Sequence, residues 1–177
     1  KAASFNFLRK NKMKNIIFVY KILLFVSLFF ITSLVYADQA SIDAGAKVWK
    51  RIKCGYCHGP FGDGKGHPRS PGLGANLRET QLDKEGLFEV IACGIPGTEM
   101  PYFHRSAYKK AEICWDMTAE DMGEDMPKTY EGKTLSPKSL PKLVDYILAE
   151  LKGKGRITLE ECEKYFRVGS RACERFK

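Results

Sequence analysis

Apolar positions along the chain fall into four sets at helical spacing and one unbroken run. The run, Ile22 to Tyr36, is uncharged and largely apolar. Ile42, Gly45, Val48, Trp49 and Ile52 recur every three or four residues and predict an amphipathic helix, with Ser41 as N-cap and Asp43 in its first turn. Gly45 interrupts that stripe. A glycine there suits either close approach of a second helix or simple tolerance of a weak helix former. Leu87, Phe88, Val90 and Ile91 predict a second helix, begun by a capping box at Thr80–Asp83 and ended by Gly94. Leu140, Leu143, Val144, Ile147 and Leu151, with Tyr146 beside them, predict a third. Ser139 suits its cap better than Ser136, because Pro141 then falls in the first turn and loses no interior hydrogen bond. Gly153 and Gly155 stop it. Leu159, Cys162, Tyr165 and Phe166 predict a short fourth helix in the tail, residues 156–177.

The apolar run changes how composition is read. Lys10, Lys12, Lys14 and Lys21 precede it, and Val35-Tyr36-Ala37 closes it as a small-x-small cleavage site, so residues 1–37 have the form of an export signal cut after Ala37. Met13 suits a start codon, with residues 1–12 as upstream translation. A retained anchor is the alternative, but 15 residues are short of the roughly 20 a spanning helix needs. The whole chain carries 29 basic and 21 acidic residues, a formal +8. Six of the basic residues and none of the acids lie in 1–37, which leaves 23 against 21, or +2. The compositional case for nucleic-acid binding disappears with the leader. About 140 residues remain, one domain by length.

Cys54-Gly55-Tyr56-Cys57-His58 is the chemical centre of the sequence. Two thiols three positions apart, followed by an imidazole, are what a haem needs when its vinyl groups become thioethers and its iron takes the adjacent histidine. A zinc site would want a fourth ligand at matching spacing, and a thioredoxin-like pair a βαβ context absent here. The glycine-rich stretch Gly59–Gly66 lacks the Gly-Lys-Ser/Thr ending and preceding strand of a phosphate loop, and suits backbone wrapped over a flat cofactor. The other four cysteines, Cys93, Cys114, Cys162 and Cys173, allow three pairings in a disulfide-permissive compartment. Cys93 with Cys114 and Cys162 with Cys173 each close a short loop and are preferred, with free buried thiols the alternative.

Gly94-Ile95-Pro96-Gly97-Thr98-Glu99-Met100-Pro101 supplies the second half of a haem site. With the cysteine-histidine motif it makes the chain resemble a class I monohaem cytochrome c, from Ser41 to about Leu151. The resemblance implies an all-α fold of three to five helices around one covalent haem c, with a cytochrome c domain over 38–155. His58 and Met100 would be the axial ligands and Cys54 and Cys57 the attachment points. It also implies a proline carbonyl accepting the proton of the histidine's other ring nitrogen, for which Pro71 is the nearest match. The C-terminal helix would cross the first, with Tyr146 or Ile147 near Gly45 and Trp49. Asn76 and Arg78 suit either a haem propionate or solvated surface. Met117, Met122, Met126, His67 and His104 compete with Met100, but none has the loop around it.

Two segments depart from the family pattern. Residues 102–135 are an insertion carrying, from Glu112 to Glu131, seven acids and one lysine. That block reads as a solvated face, and beside the methionine loop also as a docking surface. The tail reads as a short helix stapled to the body by its disulfide, or as a partner clamp. The function implied is a periplasmic electron carrier, not itself an enzyme, passing electrons from a dehydrogenase towards an oxidase or another cytochrome. The alternatives are a haem subunit of a permanent complex and a gas or peroxide sensor with a labile methionine.

Overall fold

A computed structural model describes residues 38–129 and 133–177; residues 1–37, expected to be an export signal cut after Ala37, lie outside them. The chain divides into two compact units, Lys1–Ala40 and Ser41–Lys177, and the second carries the architecture below. It is helical, with no strand among the described residues beyond two isolated bridges. Among those residues no helix is long and apolar enough to cross a membrane.

Helix α1 covers residues 38–51, so Ser41 lies inside it and is not its cap. The hydroxyl of Ser41 donates instead to Asp145 Oδ2 at 2.7 Å. Val48, Trp49 and Ile52 are buried. Gly45 is there for close approach: a Cβ at this position would collide with the Lys142 carbonyl and lie 2.6 Å from Tyr146 Cβ. That places the first helix against α5, Leu140–Tyr146, as the resemblance implied. Ser139 is the N-cap of α5, with Pro141 in its first turn. The helix then widens into a π turn over Ile147–Leu151, closed by Lys152 N–H donating to Ile147 O.

Between them come α2, Gly55–His58, and α3, Lys84–Cys93. The cap of α3 is Asp83, whose carboxylate accepts from Gly86 N–H at 2.9 Å, three residues after the Thr80 expected to begin the box. Thr80 Oγ1 instead accepts from Leu82 N–H. Leu87, Ile91, Ala92 and Cys93 are buried, and α3 packs on α5.

The insertion extends the core instead of only lying on it. Its ends are tied by parallel bridges, Tyr102 to Thr129 and His104 to Leu135. Phe103, Ala107, Tyr108, Cys114, Met122 and Leu135 all join the main cluster. A capping box at Thr118 and Asp121 starts the short α4, Ala119–Met122. Both preferred disulfides are present, Cys93–Cys114 and Cys162–Cys173. The first fastens the insertion to the end of α3. The second closes the tail on itself, so it does not staple the tail to the body as expected. Attachment comes from α6, Leu159–Tyr165, and Phe61, which meets Tyr165 and Phe176 edge-on at 5.6 and 5.8 Å.

Candidate haem site

Cys54, Cys57, His58 and Met100 line one cavity of about 310 Å³, walled by α1, the 72–77 loop, α3, the methionine loop and α5. Its walls are mostly apolar side chains, among them Trp49, Ile52, Leu87, Ile91, Phe103, Leu143 and Ile147. Leu73, 86% exposed, stands at the mouth.

Cys54 and Cys57 are unbridged and half-buried. Burial pushes the Cys54 thiol up to about 12 and raises that of Cys57 as well. Both are therefore neutral near pH 7, the opposite of the low-pKa thiolate a disulfide-exchange pair needs. Nor do three or more Cys, His, Asp or Glu side chains converge as a metal-ion group among the described residues.

His58 sits at the end of α2, where its Nδ1 is 2.9 Å from the carbonyl of Ala75. A carbonyl can only accept, so Nδ1 carries the proton and Nε2 keeps its lone pair. Burial lowers the pKa of His58 below its usual 6.5, which keeps the ring neutral and able to donate to a metal. The acceptor corrects the expectation for Pro71. Pro71 is exposed and does not line the cavity. The chain turns through Gly72 and Gly74, where Gly74 N–H donates to Cys57 O at 2.9 Å, and only four residues after Pro71 does a carbonyl face the ring. A Cβ on Gly74 would come within 2.7 Å of His58 Cγ and Nδ1. The signal for this contact was the Gly72-Leu73-Gly74 spacing, not the proline.

Met100 is half-buried and held by its loop. Its N–H donates to Thr98 Oγ1 at 3.1 Å, and its carbonyl accepts from Ile95 N–H at 3.2 Å. Gly94, at φ +72°, lets that loop fold back: a Cβ there would stand 2.8 Å from Met100 O and Tyr102 N. The competing side chains go elsewhere. Met122 is buried in the insertion, Met117 and Met126 pack against the main core, His67 stacks on Tyr56 at 5.0 Å, and His104 is buried beside its bridge to Leu135. Arg78 is not solvated surface and does not line the cavity; it is buried and paired with Glu161 of the tail.

The donor set and the cavity fit a haem: two neutral thiols, one imidazole with a free nitrogen and one thioether around an apolar space. Trp49 Nε1 is the buried side-chain polar atom without a partner among the described residues, and Trp49 lies on this wall.

Residues 40–119 match the family described as cytochrome C oxidase, cbb3-type, subunit III. No curated protein and no solved structure matches the chain. The matched stretch holds nearly all of α1, the cysteine-histidine motif, α3 and the methionine loop, and with the all-α fold and the cavity these share it indicates a c-type cytochrome domain, a haem-binding electron-transfer module, over residues 40–119.

Proposed function

We propose that this chain is an exported electron carrier that holds one c-type haem through thioether bonds at Cys54 and Cys57, with His58 Nε2 and Met100 Sδ as axial ligands. The observation that carries the reading is the common cavity: the four side chains meet in one apolar space, and His58 is already oriented by Ala75. When bound, the haem supplies one-electron chemistry at its iron. The protein's part is to keep both ligands in place and water out. A thioether beside an imidazole favours the reduced state relative to two imidazoles and so raises the potential. Because neither ligand leaves, little rearranges on reduction, and a brief encounter suffices for transfer. The carrier has no catalytic turnover of its own. The export-signal form of residues 1–37 supports a periplasmic location for this carrier, with a dehydrogenase as donor and an oxidase or second cytochrome as acceptor.

A second reading, a haem subunit fixed in an oxidase complex, is favoured by the description of the matching family. Co-purification at high salt would select it over the carrier, whose charge-steered contacts weaken with ionic strength.

The optical spectrum of the purified protein tests the ligation. The oxidised form should show the weak near-infrared thioether-to-iron band, Met100→Ala should abolish it, and carbon monoxide should leave the reduced parent protein unchanged. Ready binding of carbon monoxide by the parent would favour the sensor with a labile methionine.

A further inference from the structure

The guanidinium of Arg78 is fully used. Its Nε donates to Gly155 O at 2.8 Å; one terminal nitrogen donates to Phe61 O at 3.2 Å and Glu161 Oε1 at 2.5 Å; the other donates to Arg156 O at 3.4 Å and Glu161 Oε2 at 3.1 Å. A guanidinium has five N–H donors, and five acceptors meet them here. Three belong to the tail, one to Gly155 just before it, and the fifth to the glycine-rich loop behind His58. The fork onto Glu161 is bidentate, a geometry that lysine cannot reproduce.

The backbone around Arg78 is held as closely. Leu77 N–H and Arg78 N–H both point to Gly62 O, at 2.7 and 3.3 Å, and Gly153 N–H donates to Arg78 O at 2.9 Å. Arg78 N–H also reaches Asn76 Oδ1 at 3.0 Å. Residues 76–78 are thus fixed between the glycine-rich loop and the segment from Gly153 into the tail, and Ala75, the acceptor of the His58 proton, directly precedes them. Glu161 in turn directly precedes Cys162, whose bridge to Cys173 ties α6 to the final turn, Arg171–Phe176.

We infer that Arg78, gripped by Glu161, is a positioning residue that fixes the Ala75 carbonyl against His58 Nδ1–H, so that the C-terminal extension sets the donor strength of His58 towards iron. The inference rests on the ligation proposed above. A hydrogen bond from the distant ring nitrogen makes the metal-binding nitrogen more basic, and a more basic donor favours the oxidised iron. Slackening the carbonyl therefore raises the potential. The tail thereby acts on the haem through two side chains and one peptide segment, without touching the cavity.

The test uses the full-length haem-loaded protein and three variants: Arg78→Lys, Glu161→Gln, and Met122→Ala as a control that empties part of the buried insertion far along the chain from Arg78. Two quantities are measured, the midpoint potential and the exchange rate of the His58 Nδ1 proton by NMR in the reduced state. In Arg78→Lys the ratio of reduced to oxidised protein at a fixed ambient potential should rise about tenfold, which is about 59 mV for one electron. Proton exchange should quicken by a similar factor. Glu161→Gln should shift both in the same direction by less, and Met122→Ala should lower the melting temperature with both unchanged. Parent values of potential and exchange in Arg78→Lys, with the parent low-spin spectrum retained, overturn the inference. If Arg78→Lys does not accumulate, unchanged values in Glu161→Gln overturn it equally. A parent protein whose spectrum shows no histidine–methionine ligation instead sinks the ligation reading, and this inference with it.

Discussion

Single atoms decide the proximal side of this site. Gly74 has no room for a methyl group, since its Cβ would lie 2.7 Å from His58 Nδ1 and 2.8 Å from the Cys57 carbonyl carbon. Gly74→Ala should cost about 1–3 kcal/mol of stability, the usual range for overpacking, measured by urea unfolding of the haem-loaded protein. It should also move the midpoint potential, because the ring can relieve the clash only by leaving Ala75. A change in stability with an unmoved potential would show that the ring stays put. His104 gives a pH prediction. It is buried, its Nδ1 accepts from Ser106 N–H at 3.1 Å, and burial lowers its pKa from the usual 6.5. A neutral ring in the fold and a more readily protonated one in the unfolded chain mean that its contribution is complete above 6.5 and is lost as pH falls from there through the lowered folded value. Urea midpoints between pH 8 and 5 should therefore fall less steeply in His104→Asn than in the parent; equal slopes would remove His104 from the acid response. At this scale the sequence was legible where spacing encodes chemistry, as in Cys54, Cys57, His58 and Met100, which reach one cavity. It misled where a backbone group acts, because any residue has a carbonyl and nothing in the side chain of Ala75 marks it as the acceptor.

Helices were readable for a related reason. The apolar stripes of α1, α3 and α5 follow from period alone, whereas Gly45 left close approach and simple tolerance open, and only the family resemblance pointed to the crossing near Tyr146 that the structure shows. Caps were less readable, since Thr80 and Asp83 can each begin a helix by local side-chain bonding, and only the path of the chain selected Asp83. The insertion was the least legible element. Its acids dominate the sequence pattern, but the residues that fix it are scattered ones, Phe103, Tyr108, Met122 and Leu135, with no common period. Its other fastening is covalent. Cys93–Cys114 closes a loop of 21 residues, and Tyr108 Oη donates to Cys93 O at 2.8 Å beside it. Replacing both cysteines by serine should lower stability by about 3 kcal/mol, from the chain entropy returned to the unfolded state. Because Ile91 and Ala92 carbonyls accept from Phe103 N–H just after the methionine loop, the same variant should lose part of the near-infrared thioether band. An intact band at full intensity would mean that the Met100 loop is held independently of the insertion.

On the scale of the whole molecule, charge separates the two functional readings. Without residues 1–37 the formal charge is only +2, yet the insertion presents Glu112, Asp116, Glu120, Glu124 and Asp125 as exposed acids. The insertion begins at Tyr102, two residues beyond Met100, and its Lys128 is paired with Glu99 of the methionine loop at 2.5 Å, so both of its ends are anchored beside that loop. Potentials of this kind act over about 8–10 Å at ordinary ionic strength and about 3 Å at 1 M. Steering by such a face changes association rates by roughly 10- to 1,000-fold. Changing these five residues to their amides, with Asp121 left to cap α4, should leave the melting temperature within a few degrees. In a carrier the variant should react about ten times more slowly than the parent with a cationic redox protein at low salt, and faster than the parent with an anionic small oxidant; stopped-flow mixing reads both. Both differences should vanish at 1 M salt, where the field no longer reaches the partner. A subunit fixed in a complex would behave otherwise: its contact would be apolar and permanent, and electron delivery to the complex would be indifferent both to the five substitutions and to salt. The insertion's surface is acidic while its interior is part of the core, so on the carrier reading the face can be recharged without disturbing the fold, and the salt dependence of the rates then decides between the two readings.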